Sequence, residues 1–311
     1  MTRVAVIGGG TSAEHEVSLA SAAGVVGALL EGGHDPVALT IDRDGDWHDA
    51  GGCLIGLPGV VHVLRTCDVV LPMVHGRGGE DGALAALCAF VGVPCVGTPL
   101  TGSAIGMDKA AAKLAAADLG IRVASGRVLT RASAAGYEGT GPAVVKPVGA
   151  GSSRGVTLVE DAAALPAALA AAFEHDDRVL VEEVVRGREI DVAVLGRPDG
   201  SRRVAPMLEI LRDGVFDFDA KYGGEPPFVV PAPLDDATWA RLRADAVALY
   251  DALGCRGVAR VDFFVPDDGV PVFNEINTVP GFTPASQVPR MFAADGLSYV
   301  ELVDLLVADA S

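Results

Sequence analysis

The 311-residue sequence is poor in aromatic residues, at 5%, and poor in basic ones, with 24 Lys and Arg against 41 Asp and Glu. A formal net charge of −17 would repel a phosphate backbone, which argues against nucleic-acid binding. A local lysine cluster with a metal ion could still outweigh that sign at a nucleotide. Cysteine is scarce and odd in number: Cys53, Cys67, Cys88, Cys95 and Cys255 fit no zinc spacing. They read as small buried hydrophobes in a reducing, cytoplasmic setting rather than as a disulfide frame. Apolar runs of membrane length are missing too. Gly82 to Ile105 carries no charge, but Pro94, Pro99 and several glycines break it into helix, strand and loop, so no membrane association is expected. No signal-peptide pattern opens the chain, since Val4 to Ile7 lead straight into a glycine turn. Internal repeats and low-complexity linkers are absent. What is present is 50% hydrophobic and 21% charged, enough for a sizeable core in two or three packed units.

The first hundred residues alternate strand and helix. Val4–Ile7 reads as a strand, followed by Gly8-Gly9-Gly10 and a helix near Ala13 that Thr11 or Ser12 would cap. Pro36–Ile41, Val69–Val74 and Pro94–Gly97 read as further strands, and Asp81 as the cap of a helix reaching Val91. This alternation implies a parallel sheet with helices on both faces. A helix at Lys109–Leu119, strands at 142–147, 156–159 and 178–183, and a helix at Leu165–Phe173 suggest a small α+β unit. Longer strands follow at 191–195, 203–210, 258–265 and 270–274, with helices at 236–253 and 298–308. The expected units are 1–98, 99–184 and 185–311.

Four stretches could carry chemistry. Gly8, Gly10 and Ala13 match a dinucleotide fingerprint loosely, but the acidic residue ending the second strand, Asp42, lies 34 positions beyond Gly8. A tight turn presenting Glu14 at a cleft fits better. The loop His75–Gly82 follows a parallel strand, where open α/β sheets bind ligands, so His75, Arg77 and Glu80 could face a substrate. Lys146 to Gly155 places a strand-end lysine before three glycines and the hydroxyls of Ser152 and Ser153. That composition suits a flap over a triphosphate, although no Gly-Lys-Ser/Thr helix start is present. The fourth stretch is the most specific. Arg260 and Asp262 share a strand face, as do Glu275 and Asn277 on the next strand. Asp262, Glu275 and Asn277 supply only hard oxygen ligands, as magnesium prefers, and burying such a set is costly without a cation. The Pro/Gly-fixed loop after them holds Gly281, whose N–H is uncrowded enough to face an oxyanion.

Seven collinear motifs resemble the D-alanine–D-alanine ligase family of the ATP-grasp superfamily: GGGTSAEHEVSLAS (8–21), HGRGGEDG (75–82), MDK (107–109), VVKPVGAGSSRGV (144–156), FDFDAKY (216–222), RVDFF (260–264) and NEINTVPGFTPAS (274–286). The resemblance implies a three-domain ATP-grasp fold, α/β and α+β, with ATP between the central and C-terminal units. It implies that Glu14, Ser152 and Tyr222 surround the ammonium of a first D-alanine, and that His75 and Glu80 flank the substrates. Lys109 and Lys146 would hold the α- and β-phosphates and Lys221 the γ-phosphate, with Ser153 in the loop above them. Glu182, Glu183 and Val185 would line the adenine pocket, and Glu189 would take the ribose. Asp262, Glu275 and Asn277 would bind two magnesium ions, manganese being able to substitute, with Glu275 bridging. Arg260 and Gly281 would stabilise the oxyanion, and Ser286 would receive the second carboxylate, next to Gln287. Relatives are often homodimers. The implied reaction makes D-alanyl-D-alanine through an acyl phosphate, for peptidoglycan precursors.

This sequence departs from the family pattern at several places. Val148 replaces a common Ser, Ala150 a common Glu, Ala85-Ala86 stand where a Gln is usual, and Gln287 stands where an apolar residue is common. These changes bear on loop anchoring and on the second substrate. A related ligase using D-lactate, D-serine or another acid in resistance or specialised biosynthesis would share the magnesium set. A nucleotide-binding oxidoreductase would leave that set and Lys146 unexplained, and a non-catalytic homologue would form no ADP.

Overall fold

The computed structural model describes residues 1–139, 141–211 and 228–310. Strand β1 (Arg3–Gly9) lies parallel between β2 (Asp35–Ile41) and β4 (Val69–Pro72), with β3 (Trp47–His48) on the outer edge. Six of its seven residues are buried, because both sheet faces are covered. Ala5 and Ile7 face a core shared with α2 (Gly56–Leu64) and α3 (Ala83–Val91), through Val60, Leu64, Leu84 and Cys88. Val4 and Val6 face the opposite way, onto Val25 and Leu29 of α1 (His15–Glu31). The period of two assigns each side chain its layer.

A second sheet runs in the order β6 (Gly126–Thr130), β9 (Arg178–Glu183), β7 (Ala143–Pro147), β8 (Thr157–Val159), all antiparallel. Helix α7 (Leu165–Ala172) covers Val145, Val159, Val179 and Val181. The third sheet centres on β10 (Arg188–Gly196), β14 (Val258–Val265) and β15 (Val272–Asn277). It continues through β12 (Leu208–Ile210) to β13 (Phe228–Val229) on one side and ends at β5 (Arg122–Val123) on the other, while β11 (Arg202–Val204) pairs with β10. Its two faces are covered differently. Helices α5 (Lys109–Asp118) and α8 (Asp236–Ala252) pack on Phe263, Phe273 and Ile190. Helices α9 (Gln287–Ala294) and α10 (Tyr299–Ala310) fill the space toward the first sheet, with Phe282, Met291, Phe292 and Leu302 fully buried. Each large side chain so buried stabilises by about 2–3 kcal/mol.

Several elements differ from the sequence expectation. The strand expected at 203–210 is two strands, because Pro206 cannot donate to a ladder. The strand expected at 270–274 begins after Pro271 and runs on to Asn277. Pro94–Gly97 is reduced to a single parallel bridge between Val70 and Cys95. Neither Thr11 nor Ser12 caps α1: Glu14 occupies the N-cap, and the Ser12 hydroxyl accepts the Glu14 N–H at 3.1 Å. Asp81 sits one place before the N-cap of α3, Gly82, and accepts the Ala83 N–H at 3.0 Å. Helices α2, α4 (Leu100–Met107), α6 (Arg131–Ala134) and α9, and strands β5 and β6, were not expected from the sequence. Among the described residues no helix is long and apolar enough to cross a membrane.

Candidate active site

A cavity of about 1150 Å³ opens where the three sheets meet, at the carboxyl-end loop of β4, the β7–β8 loop and one face of the β14–β15 pair. Apart from Arg77, every expected site residue within the described set lines it. Tyr222 and Lys221, with the whole 216–222 motif, lie outside the described residues.

The floor of the cavity is a buried ladder. Arg260 pairs in register with Asn277, and Asp262 with Glu275. Arg260 donates through Nε to Asp262 Oδ1 and through Nη2 to Oδ2, both at 2.7 Å, and Asn277 Nδ2 donates to the same Oδ2 at 3.1 Å. Asp191, 1% exposed, faces Arg260 from β10 at 3.6 Å. Burial opposes the charge, but the Asp262 and Asp191 carboxylates hold the Arg260 guanidinium well above its usual range. Glu275 pairs with Lys109 at 3.1 Å. Among the described residues no three His, Cys, Asp or Glu side chains are grouped to hold a metal. The ladder instead offers two facing carboxylates and an amide, a donor set that fits a hard cation once Arg260 or Lys109 yields an oxygen.

Above the floor stands a lysine cluster. Lys146 pairs with Glu182 Oε1 and donates to Asn274 Oδ1 at 3.1 Å. Lys113, which the sequence reading passed over, pairs with Glu182 Oε2 at 3.0 Å and donates to Phe273 O at 3.4 Å. Burial, and then the Lys146 charge, push the Lys113 ammonium down to about 8, against the pull of Glu182. Although burial acts to raise it, Lys146 and Lys113 hold Glu182 below the usual carboxylate range. Lys109 donates to Ala150 O at 2.8 Å, and its helix is fixed by the N-cap Asp108, which accepts the Ala110 and Ala111 N–H groups and pairs with Arg178. Three ammonium groups thus converge in a chain of net charge −17. Glu183, Val185 and Glu189 follow along the wall, and the neighbouring Arg188 is held bidentately by Glu209 at 2.7 and 2.6 Å.

The β7–β8 loop forms the roof. Ser152 and Ser153 both hold left-handed backbone, at φ 51° and 53°, an uncommon conformation for non-glycine residues that turns the loop tightly. Gly151 approaches Glu14 so closely that an added Cβ would lie 3.3 Å from Glu14 Oε2, and one on Gly76 would lie 2.9 Å away. Glu80 is buried beside them. Burial, and then the nearby Glu14 carboxylate, push the Glu80 carboxyl up to about 8.

His75 lines the cavity, but its ring is engaged on both sides. Nδ1 lies 2.8 Å from Val279 O, so it carries the proton, and Nε2 accepts from Ser21 Oγ at 2.8 Å. Ser21 Oγ in turn accepts the Phe282 N–H at 3.1 Å. Burial pushes the imidazole down to about 4, so His75 is a neutral strut between the first sheet and the 278–286 loop. That loop places Gly281 against Ser286, whose Oγ accepts the Thr283 N–H at 3.0 Å at the N-terminus of α9. Gln287 Oε1 accepts from Arg260 Nη1 at 3.0 Å. Arg77, expected to face a substrate, has a side chain 58% exposed and directed to Asp176 instead. Asp42, the residue a dinucleotide reading needs, is engaged in its own turn: Oδ1 accepts the Asp44 and Asp46 N–H groups and Oδ2 meets His48.

Comparison with known proteins points to one family. A family model described as the D-ala D-ala ligase N-terminus matches residues 3–55, and one described as the D-ala D-ala ligase C-terminus matches residues 128–308. The D-alanine–D-alanine ligase of Nocardia farcinica is 41% identical, over 99% of this chain and 96% of the relative. Among solved structures, the VanG D-Ala:D-Ser ligase of Enterococcus faecalis superposes with a TM-score of 0.86 at 35% identity, covering 100% of this chain and 99% of that one. The D-alanine–D-alanine ligase of Bacillus anthracis, complexed with ATP, superposes with a TM-score of 0.81 at 27% identity, over 100% and 97%. The three-sheet architecture is the ATP-grasp fold, and the chain belongs to the D-alanine–D-alanine ligase family.

Proposed function

We propose that this protein joins two D-alanines into D-alanyl-D-alanine, with ATP becoming ADP and phosphate, to supply peptidoglycan precursors in the cytoplasm. It acts as three units, 1–98, 99–184 and 185–311, and as a homodimer. The observation that carries the reading is the meeting of three lysines with the Asp262–Glu275–Asn277 ladder in one cavity. Lys109 and Lys146 exchange their protein partners, Glu275 and Glu182, for the α- and β-phosphates, with Lys221 at the γ-phosphate and Ser153 above. Glu182, Glu183 and Val185 border the adenine, and Glu189 takes the ribose. Asp262, Glu275 and Asn277 hold two magnesium ions, or manganese. Bound metal neutralises phosphate charge and so assists transfer of the γ-phosphoryl group.

Glu14 and Ser152, with Tyr222, hold the ammonium of the first D-alanine, and His75 and Glu80 flank it. Its carboxylate oxygen takes the γ-phosphoryl group and becomes an acyl phosphate, an electrophile that a free carboxylate is not. Ser286, at the N-terminus of α9, receives the carboxylate of the second D-alanine beside Gln287. The second amine attacks the acyl carbon, Arg260 and the Gly281 N–H stabilise the oxyanion, and phosphate leaves. Asp262 holds the Arg260 guanidinium on two nitrogens, which fixes the direction of its charge in the cavity. Glu275→Gln should reduce D-alanine-dependent phosphate release by about a hundredfold while leaving the melting temperature unchanged. A variant as fast as the parent would contradict the metal assignment. D-Serine and D-lactate assayed in parallel decide the second substrate.

A further inference from the structure

Side chains from outside the β7–β8 loop tie down its first residues. Gly149 N–H donates to Asp176 Oδ2 at 2.7 Å. Arg77 donates through Nε to Gly149 O at 3.3 Å and through Nη2 to Asp176 Oδ2 at 3.1 Å. Lys109 Nζ donates to Ala150 O. Asp176 is itself anchored, since its Oδ1 accepts the Arg178 N–H at 3.0 Å and its side chain is only 10% exposed. Gly149 fits closely, for an added Cβ would lie 3.0 Å from Asp176 Oδ2. Arg77 comes from the His75–Gly82 loop of the first sheet, 72 and 99 residues from its partners, so one guanidinium joins that loop to the roof of the cavity.

In the function proposed above, the Lys109 ammonium leaves Ala150 O for a phosphate. The ties that Arg77 and Asp176 make to Gly149 are independent of that exchange and persist through it. Residues 148 and 150 are Val and Ala and offer the loop no polar side chain. We propose that Arg77 and Asp176 form a latch that holds the roof loop closed while the acyl phosphate exists and keeps water from it. Both are positioning residues, and the proposal rests on the ligase reading. In the productive step the amine nitrogen bonds to the acyl carbon, the bond from that carbon to the phosphate oxygen breaks, and phosphate departs. With the latch open, water attacks the same carbon, the same bond breaks, and D-alanine returns with phosphate. ATP is then consumed without a peptide bond.

The test uses the full chain with Arg77→Ala, Arg77→Lys and Asp176→Asn. Phosphate and dipeptide are measured together in ATP, magnesium and D-alanine, and tryptic cleavage after Arg154 is followed without ligands. The parent should release one phosphate per dipeptide. Arg77→Ala should exceed that ratio and be cleaved about twofold to fivefold faster, the factor that a pair of this exposure is worth. Asp176→Asn should shift both readouts the same way. Arg77→Lys should restore them only in part, because an ammonium is a point donor and cannot span both acceptors as the fork does. A general loss of stability would lower the active fraction and leave the ratio unchanged. An unchanged ratio with unchanged cleavage in Arg77→Ala overturns the latch. If the parent makes no dipeptide while Arg77→Ala still speeds cleavage, the ligase reading falls and the tether stands.

Discussion

Glu80 is held at a cost. Its carboxyl is buried beside Glu14, and its pKa rises from 4.5 to about 8. The folded state therefore favours the protonated form. Glu80 leaves stability intact below pH 4.5 and subtracts from it progressively as pH rises toward 8. Glu80→Gln should raise the melting temperature of the ligand-free protein by roughly 2–8 °C at pH 8.5 and leave it unchanged at pH 4.5. An equal shift at both values would mean that the carboxyl ionises without penalty. Lys113 makes a second prediction at this scale. Lys113 and Lys146 share Glu182, so if Lys146 turns to a phosphate as proposed, Lys113 is the counter-ion left to Glu182. Lys113→Met should keep Lys146 on Glu182 and raise KM for ATP about tenfold with a smaller change in kcat, and Lys113→Arg should recover part of it. An unchanged KM in Lys113→Met would remove that role. The signal for Lys113 was in the sequence, four residues after Lys109 and so on the same helix face. Asp191 was signalled too, as an acid between the apolar residues Ile190 and Val192 of β10. The His75 contact to Val279 O and the Arg77 contact to Gly149 O were not, because these are backbone groups that every residue carries.

Elements were legible where periodicity was strict. The Arg-X-Asp and Glu-X-Asn spacings of β14 and β15 placed four polar side chains on a shared face, as the register bears out. Helix α4 was not legible, because its sequence LTGSAIGM has two glycines and little helical propensity. Packing explains them. An added Cβ on Gly102 would lie 2.3 Å from Leu253 O, so the helix can approach α8 that closely only without a side chain there. Gly102→Ala should therefore destabilise by about 2–4 kcal/mol despite its better propensity, measured by chemical denaturation. A neutral or stabilising result would show that the helix has room to shift. Helix α2 was hidden in the same way by Gly56, Pro58 and Gly59.

At the scale of the whole molecule, three sheets converge on one cavity, and the core continues from β1 and α1 through α9 and α10 to β10. The His75 strut and the buried C-terminal helices hold the first and third sheets in one arrangement, so the Glu14–Glu80 corner and the Asp262–Glu275 ladder line the same cavity. If that arrangement performs ligation through an acyl phosphate, one carboxylate oxygen must leave as part of the phosphate. The decisive measurement supplies D-alanine labelled with ¹⁸O in its carboxylate, together with ATP and magnesium, and weighs both products. One labelled oxygen should appear in the inorganic phosphate for each D-alanyl-D-alanine formed. Phosphate carrying only unlabelled oxygen from water would mean that ATP is hydrolysed without activating the carboxylate, and the proposed function would fall.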